Sequence, residues 1–435
     1  MDCTQPPLRA SLLAVVVTCL QFGVVGVASS ACGPSQTEPP GVSTAGGPPT
    51  GGNPMDNGGA PPLDMGGAGN GEAGGGAGGS AGDTGGVGGV GGSVAGMGGE
   101  TGGQGGMGPA ETLLDNPLMP MPPESLADVG LYTQMSNLDA IDDRVMYFKP
   151  KYELWSNGLK KRRYLLLPEG TQVDTSVRDA WQFPVGTLVF KTFSSTDAQG
   201  VEAPVETRLI RKVRADGVDV TADWEFWTYQ WNPELTGATL TDPERRVNVE
   251  ALVLGAPVEH QIPRRGDCFN CHVGNPTAII GFDELRLNAP LEGQVETQLE
   301  QAMARGLLSA MPPQPWVDVT DPDPLQARVF QYIAGNCLHC HNGLERVETS
   351  ARYPELDLHP EMVIQNTCNI EQMTVGSKAG LRIVPGSPEE SILFLAVERV
   401  DPEVQVMPLV GVQQVDTDAV EMFREWITAM EGCPP

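Results

Sequence analysis

The spacing of hydrophobic and polar positions changes three times along this chain. An apolar run from Leu12 through Ala28, broken only by Thr18, Cys19 and Gln21 among polar types, gives way at Gly33 to a segment with no periodicity at all. From Gly33 to about Gly108 the residues are mostly Gly, Ala, Ser, Thr and Pro, without one aromatic, so the segment cannot bury enough apolar surface to offset its chain entropy. It is expected to be a flexible tether. Aromatics return at Tyr132, Tyr147, Phe148 and Tyr152, and the spacing then becomes that of strands. Leu188-Val189-Phe190-Lys191-Thr192-Phe193 and Thr207-Arg208-Leu209-Ile210-Arg211-Lys212-Val213 are rich in β-branched and aromatic residues, with Ala215-Asp216-Gly217 as a turn. Trp224, Phe226, Trp227, Tyr229 and Trp231 lie too close together for a helix face and are expected to feed a strand core rather than form a ligand platform.

Beyond Gly266 the period becomes helical. Asp323-Pro324-Leu325-Gln326 supplies a cap and a first-turn Pro ahead of Val329, Phe330 and Ile333. Ser387-Pro388-Glu389-Glu390 repeats the device before Ile392, Leu393 and Leu395, and Val420, Phe423, Ile427 and Met430 make a last helix face ending at Gly432. The pattern predicts an α+β chain: a β-rich N-terminal domain over 125–260, as a sandwich or partial barrel, then an α-helical region. The latter divides into a segment over 261–320 and a domain over 321–435.

Composition changes the picture at the N-terminus. Arg9, the apolar run and Ser29-Ser30-Ala31 before Cys32 read as a secretory signal peptide over 1–31, and the tether spans 32–110. Ser29-Ser30-Ala31-Cys32 also resembles a lipoprotein processing site, in which Cys32 carries a lipid anchor; an uncleaved membrane anchor is the competing reading. With 55 Asp and Glu against 27 Lys and Arg, the chain's mean field repels nucleic acid and anionic lipid. Trp155 to Arg163 is a basic island in that acidic background, either solvated surface or a docking patch for an acidic redox partner.

Four of the nine cysteines fall into Cys268-Phe269-Asn270-Cys271-His272 and Cys337-Leu338-His339-Cys340-His341, both fitting the C-x-x-C-H pattern of covalent c-type haem attachment. Two thiols one turn apart match the two vinyl-derived carbons on a porphyrin edge, and His272 or His341, following directly, supplies the proximal iron ligand. Structural zinc and redox disulfides are the rival uses of these thiols. Met407, in Val406-Met407-Pro408-Leu409, is the expected distal ligand of the second haem, against a reading as core packing. The first haem's distal ligand stays open. Met311 precedes Pro312-Pro313, but so does Met121 precede Pro122-Pro123. His260 and His359 read as surface or core residues, and His339 is expected to point away from the iron. Cys368 and Cys433 are left for a disulfide tying the loop before the last helices to the chain end.

A helix entering C-x-x-C-H, a later Met loop and a closing amphipathic helix resemble a small class I cytochrome c domain. Together with Leu126 to Tyr132, Leu154 to Gly170, Trp181 to Phe193, Gly306-Leu307-Leu308 and Val384-Pro385-Gly386-Ser387-Pro388-Glu389, the two motifs resemble a family of bacterial dihaem c-type cytochromes, from about residue 125 to the end. The resemblance implies two covalently bound haem c groups, at Cys268, Cys271 and His272 and at Cys337, Cys340 and His341. It also implies electron transfer between unidentified redox protein partners. The expected location is the periplasm, or the outer membrane or cell surface as a lipoprotein. A dihaem peroxidase and a surface-tethered binding protein are the alternative functions.

Overall fold

In the computed structural model the described residues are 111–433, apart from 179, 216–219, 273–276, 344–355 and 373–376. The leader, Cys32, the glycine-rich tether up to residue 110 and the Asp216-Gly217 turn lie outside them.

The alternation around residues 188–193 belongs to a six-stranded antiparallel meander, ordered as in the sequence: β1 (Met146–Phe148), β2 (Lys160–Leu166), β3 (Leu188–Thr196), β4 (Glu202–Lys212), β5 (Trp224–Trp231) and β6 (Ala238–Leu240). A separate ribbon, β7 (Val247–Val253) and β8 (Ala256–Ile262), turns through Leu254 and Gly255 at φ 50° and 80°, a pair of positive dihedrals that suits a two-residue hairpin. It docks on β3, where the Leu252 amide donates to Ser195 Oγ at 3.0 Å and the Leu254 amide to Thr196 Oγ1 at 2.9 Å.

Because side chains alternate across a strand, the register sorts the sheet into two faces. One face carries Tyr164, Phe190, Leu209, Tyr229 and Trp231, and the segment before β1, with Leu113, Leu131, Tyr132 and α1 (Leu126–Val129), closes over it. The other carries the row Met146, Leu165, Val189, Ile210 and Phe226, in direct register from β1 to β5. Ala278, Ile279, Phe282, α4 (Glu284–Leu287) and α5 (Gln298–Ala304) cover this second face. Phe282 fills its centre, with its ring 5.1 Å from Phe148 and 6.0 Å from Phe183; burying such a ring contributes roughly 2–3 kcal/mol. The aromatic cluster of β5 is thus shared between the two cores, the single turn α2 (Val220–Asp223) leading into it.

The helical part has its own core. α6 (Pro324–Asn336) begins as its sequence predicts, with Asp323 accepting from the Leu325 amide at 2.9 Å and Pro324 in the first turn. Its Phe330 and Tyr332 meet Trp426 and Phe423 of α9 (Thr417–Ala429) edge-on, with ring centroids 6.0 and 5.7 Å apart. α7 (Val363–Thr367) and α8 (Ile392–Glu398) complete the cluster. The predicted cap at Ser387 does not form: Pro388–Glu390 is a 3-10 turn, Ser387 makes no side-chain cap, and α8 starts only at Ile392. Ser391 is spent on the Val384 and Ser387 carbonyls and the Val384 amide, so its hydroxyl staples the turn instead of capping the helix. Cys368 and Cys433 form a disulfide across 65 residues.

The Trp155–Arg163 run makes no open cationic patch. Arg163 is buried in β2, Arg162 pairs with both Asp139 and Glu202, and the Lys161 ammonium donates to the Leu154 carbonyl, leaving Lys160 exposed. Among the described residues no helix is long and apolar enough to cross a membrane.

Candidate functional site

The first motif is a turn and a half of helix. α3 (Arg265–His272) is pinned at its start: Asp267 takes Arg246 Nε at 2.6 Å and Nη2 at 2.5 Å, and the Arg265 guanidinium stacks 4.1 Å over Trp227. Cys268 and Cys271, three residues apart, share one side of that helix. His272 packs its ring 5.3 Å from Phe226, and its Nδ1 lies 2.6 Å from the Ala278 carbonyl oxygen. A carbonyl can only accept, so Nδ1 carries the proton and Nε2 keeps its lone pair. Burial holds the imidazolium form down, to a pKa of about 3, against the opposing pull of that carbonyl. His272 is therefore a neutral imidazole with a lone pair to give, the state a metal ligand needs.

The second motif follows α6 directly. The Cys337 amide donates to Ile333 at 2.8 Å, and the Cys340 and His341 amides both return to the Cys337 carbonyl at 2.9 Å, so the five residues wind into a tight turn. Gly335 and Asn336, just before it, lock this end of α6 to the β-rich part. A Cβ at Gly335 would sit 3.0 Å from the Glu153 carbonyl, while Asn336 Oδ1 accepts the Trp155 amide at 2.7 Å.

These contacts bring the two motifs together. The Cys340 thiol donates to the Asn270 carbonyl at 3.7 Å, and ligand atoms of Cys271, His339 and Cys340 all lie within 4.8 Å of one another. Each motif opens on a cavity. The second-motif cavity, about 360 Å3, is lined by Cys337, Cys340, His341, Met407, Leu358 and Phe423. The first-motif cavity, about 120 Å3, is lined by Cys268, Cys271 and His272 with Val189, Phe226 and Ile279. The two share a wall of Trp155, Cys271, His339, Pro408, Val410 and Val412. A wider cleft of about 730 Å3 outside β2 carries none of the motif residues and touches the second cavity only through Trp155, Tyr332 and Asp416.

Three of the thiols are held toward the protonated form in this setting. Burial pushes Cys268 up to about 11 and Cys337 up to about 12, and Cys271 is raised by its contact with Cys340 and then by burial. Met407, singled out from the sequence, does line the second cavity. His339 is buried at 6% exposure and lines both cavities, a place its position inside the second motif did not suggest. The remaining histidines serve the frame: His260, fully buried, bonds Glu206 and Asn157, and His359 bonds Asp357. Met311 packs against the sheet core outside both cavities, and Met121 is exposed.

Sequence reasoning missed a row of cations. Arg163 on β2, Lys191 on β3 and Arg208 on β4 stand directly opposite one another, and all three line the first-motif cavity. The signal was present, since Lys191 alternates with Val189 and Phe193 on an inward face.

No protein-family model, no curated protein and no solved structure matches the chain.

Proposed function

We propose that the protein is an exported dihaem c-type cytochrome that passes electrons between redox protein partners. One observation carries this reading: two Cys-x-x-Cys-His units each open on their own cavity, and those cavities share the wall at Cys271 and His339. Cys268 and Cys271 would hold one haem and Cys337 and Cys340 the other, with His272, His341 and Met407 as iron ligands. Haem bound there supplies one-electron redox chemistry. The chain's own part is to present thiols one turn apart, to fix the His272 tautomer through Ala278, and to enclose the site in apolar side chains. The 360 Å3 cavity falls within the range of small-molecule sites; the 120 Å3 one is below it, so a porphyrin there must displace the long side chains of Lys191 and Arg208. On this reading the packing of α6 against α9 beside the second cavity makes the C-terminal helices a cytochrome c-like region, and the β-rich part a support for the first haem. The signal peptide and Cys32 would carry the protein to the periplasm or, as a lipoprotein, to the outer membrane or cell surface.

The clustering of Cys271, His339 and Cys340 favours a second reading, a single metal ion held between the motifs. Production with a haem-attachment system separates them. Two acid-resistant haem additions by mass, with the pyridine haemochrome spectrum of thioether-linked haem, are expected. Stoichiometric zinc and no haem would overturn the cytochrome reading. A carrier should also show almost no peroxide turnover, whereas a dihaem peroxidase would consume peroxide rapidly.

A further inference from the structure

The loop that carries Met407 has little support of its own. Residues 407–414 make no backbone hydrogen bond to one another among the described residues, so the loop is held from outside, at its two ends. At the start, the Met407 amide donates to the Ala396 carbonyl of α8 at 3.0 Å, and the Arg399 fork reaches the Pro408 carbonyl at 2.9 Å and the Val412 carbonyl at 3.0 Å. At the other end the β-rich part takes over. Asn157 Oδ1 accepts the Gln413 amide at 2.7 Å and the Gln414 amide at 3.0 Å, and Asn157 Nδ2 donates to Gln413 Oε1 at 2.8 Å. Trp155 Nε1 donates to the Gln414 carbonyl at 3.0 Å.

The place suits an asparagine closely. The Leu159 amide closes on the Ser156 carbonyl at 3.0 Å around Asn157 and Gly158, at φ 55° and 78°, a turn in which Asn followed by Gly is favoured. Because Oδ1 already accepts twice, the remaining amide proton on Nδ2 goes to His260 Nδ1, 3.2 Å away. The side-chain amide thus uses both donors and both acceptor positions while only 1% exposed. Behind it His260 Nε2 bonds Glu206 at 2.8 Å, and a Cβ on Gly158 would meet Val253 of β7 at 3.0 Å, which pins the turn between sheet and ribbon.

Resting on the cytochrome reading for the role of Met407, we propose that Asn157 is a positioning residue for this loop: from the β-rich part it holds the wall between the two motif cavities and keeps Met407 at the second. The loop itself makes that wall, since Pro408, Val410 and Val412 line both cavities. Asn157, Gln413 and Gln414 line neither, so the clasp stands outside the space that a group in either cavity takes up. Removing the amide strips two backbone donors and His260 Nδ1 of their partner and leaves the loop to α8 and Trp155 alone.

The test compares the full-length parent with Asn157→Gly, which keeps the positive φ and loses only the side chain, and with Asn157→Asp, which keeps both acceptor positions. Amide hydrogen exchange, resolved by fragmentation into 407–412 and 413–414, reads the loop with or without a bound group. Asn157→Gly should speed exchange across both parts by roughly ten-fold or more, and Asn157→Asp should restore most of the protection. A rise confined to 413–414 would overturn the assignment, because Asn157 would then satisfy two amides and position nothing. With two haems counted by mass, Asn157→Gly should also weaken the sulfur-to-iron band and lower the potential of the haem that shows it. An unchanged band and potential would overturn the assignment while leaving the cytochrome reading intact. A chain with no haem would sink that reading, and loop exchange would still decide whether Asn157 holds the wall. Should the variants fail to fold, the parent decides: slow exchange over 413–414 supports the clasp, and fast exchange there overturns it.

Discussion

The thiol of Cys340 donates to the carbonyl of Asn270 at 3.7 Å, so the second cysteine of one motif touches an internal residue of the other. Sixty-odd residues of chain separate them, and the lock of Gly335 and Asn336 on residues 152–155 closes that gap. In the chain produced without haem and mildly oxidised, Cys271 should therefore link to Cys340, because Cys268 and Cys271 are held apart by the helix they share. Peptide mapping under non-reducing conditions checks this; a Cys268–Cys271 link instead would mean that α3 does not persist without haem. On the cytochrome reading the same contact would place the two attachment edges side by side, and a bilobed Soret circular dichroism band is expected from coupled chromophores.

Met407 is positioned by its amide, which donates to the Ala396 carbonyl of α8 at 3.0 Å, with its side chain against the helical core and the second cavity. On the cytochrome reading its thioether would be the distal ligand and would raise the potential of that iron. Met407→Ala should remove the weak sulfur-to-iron absorption band and lower the second haem's potential, leaving the first unchanged. An unaltered visible spectrum and titration would make Met407 a packing residue.

The disulfide ties Cys368, at the end of α7, to Cys433 beyond α9, closing 65 residues that include α8. Constraining a loop of that length stabilises the native state by about 4 kcal/mol through the unfolded chain. Cys433→Ser should lower the denaturation midpoint accordingly, and the loss should match that of a Cys368→Ser, Cys433→Ser pair. A doubly substituted chain as stable as the parent would show that packing of α9 on α6 carries this end alone.

Local chemistry was legible in the sequence. Both motifs, the Asp323-Pro324 start of α6 and the strand character of 188–193 and 207–213 are visible because each depends on neighbours a few residues away; the pairing of the two last cysteines, 65 residues apart, was legible only because the two C-x-x-C-H motifs and the leader claimed the other seven. What depends on register was not. Lys191 reads as one polar break in an apolar strand until β2 and β4 put Arg163 and Arg208 opposite it. His339 reads as filler between two cysteines until the Asn336 lock swings the second motif against the first. The basic run at 155–163 misleads for the same reason: Asp139, Glu202 and a carbonyl brought in by the fold take up Arg162 and Lys161, and Arg163 is buried. Ser387 misleads locally, because Pro388–Glu390 closes as a 3-10 turn whose first amides the Ser387 side chain does not cap, and the Ser391 hydroxyl, donating to the Ser387 carbonyl at 2.9 Å, holds that turn before α8 begins.

Acid should unfold the β-rich part through Glu206. Its carboxylate, fully buried on β4, bonds Arg208 at 2.5 Å and His260 Nε2 at 2.8 Å, and the ring of His260 is held from its other nitrogen by Asn157 at 3.2 Å. Burial pushes this carboxyl up, but the charge of Arg208 and the bond to His260 outweigh it and hold the pKa at about 2, against an ordinary value of 4.5. A folded pKa below the unfolded one means that the unfolded chain binds the proton more tightly. The stabilisation is thus complete above about pH 4.5 and is lost as the pH falls toward about 2. At about 1.4 kcal/mol per unit, the full contribution is on the order of 3 kcal/mol. Urea unfolding followed by tryptophan fluorescence should show the parent losing stability across that window. Glu206→Gln should start lower at pH 6, because Arg208 keeps its charge without a partner, and should fall less on acidification. Equal pH slopes for the two chains would mean that another carboxylate drives acid unfolding and that Glu206 only positions Arg208 and His260.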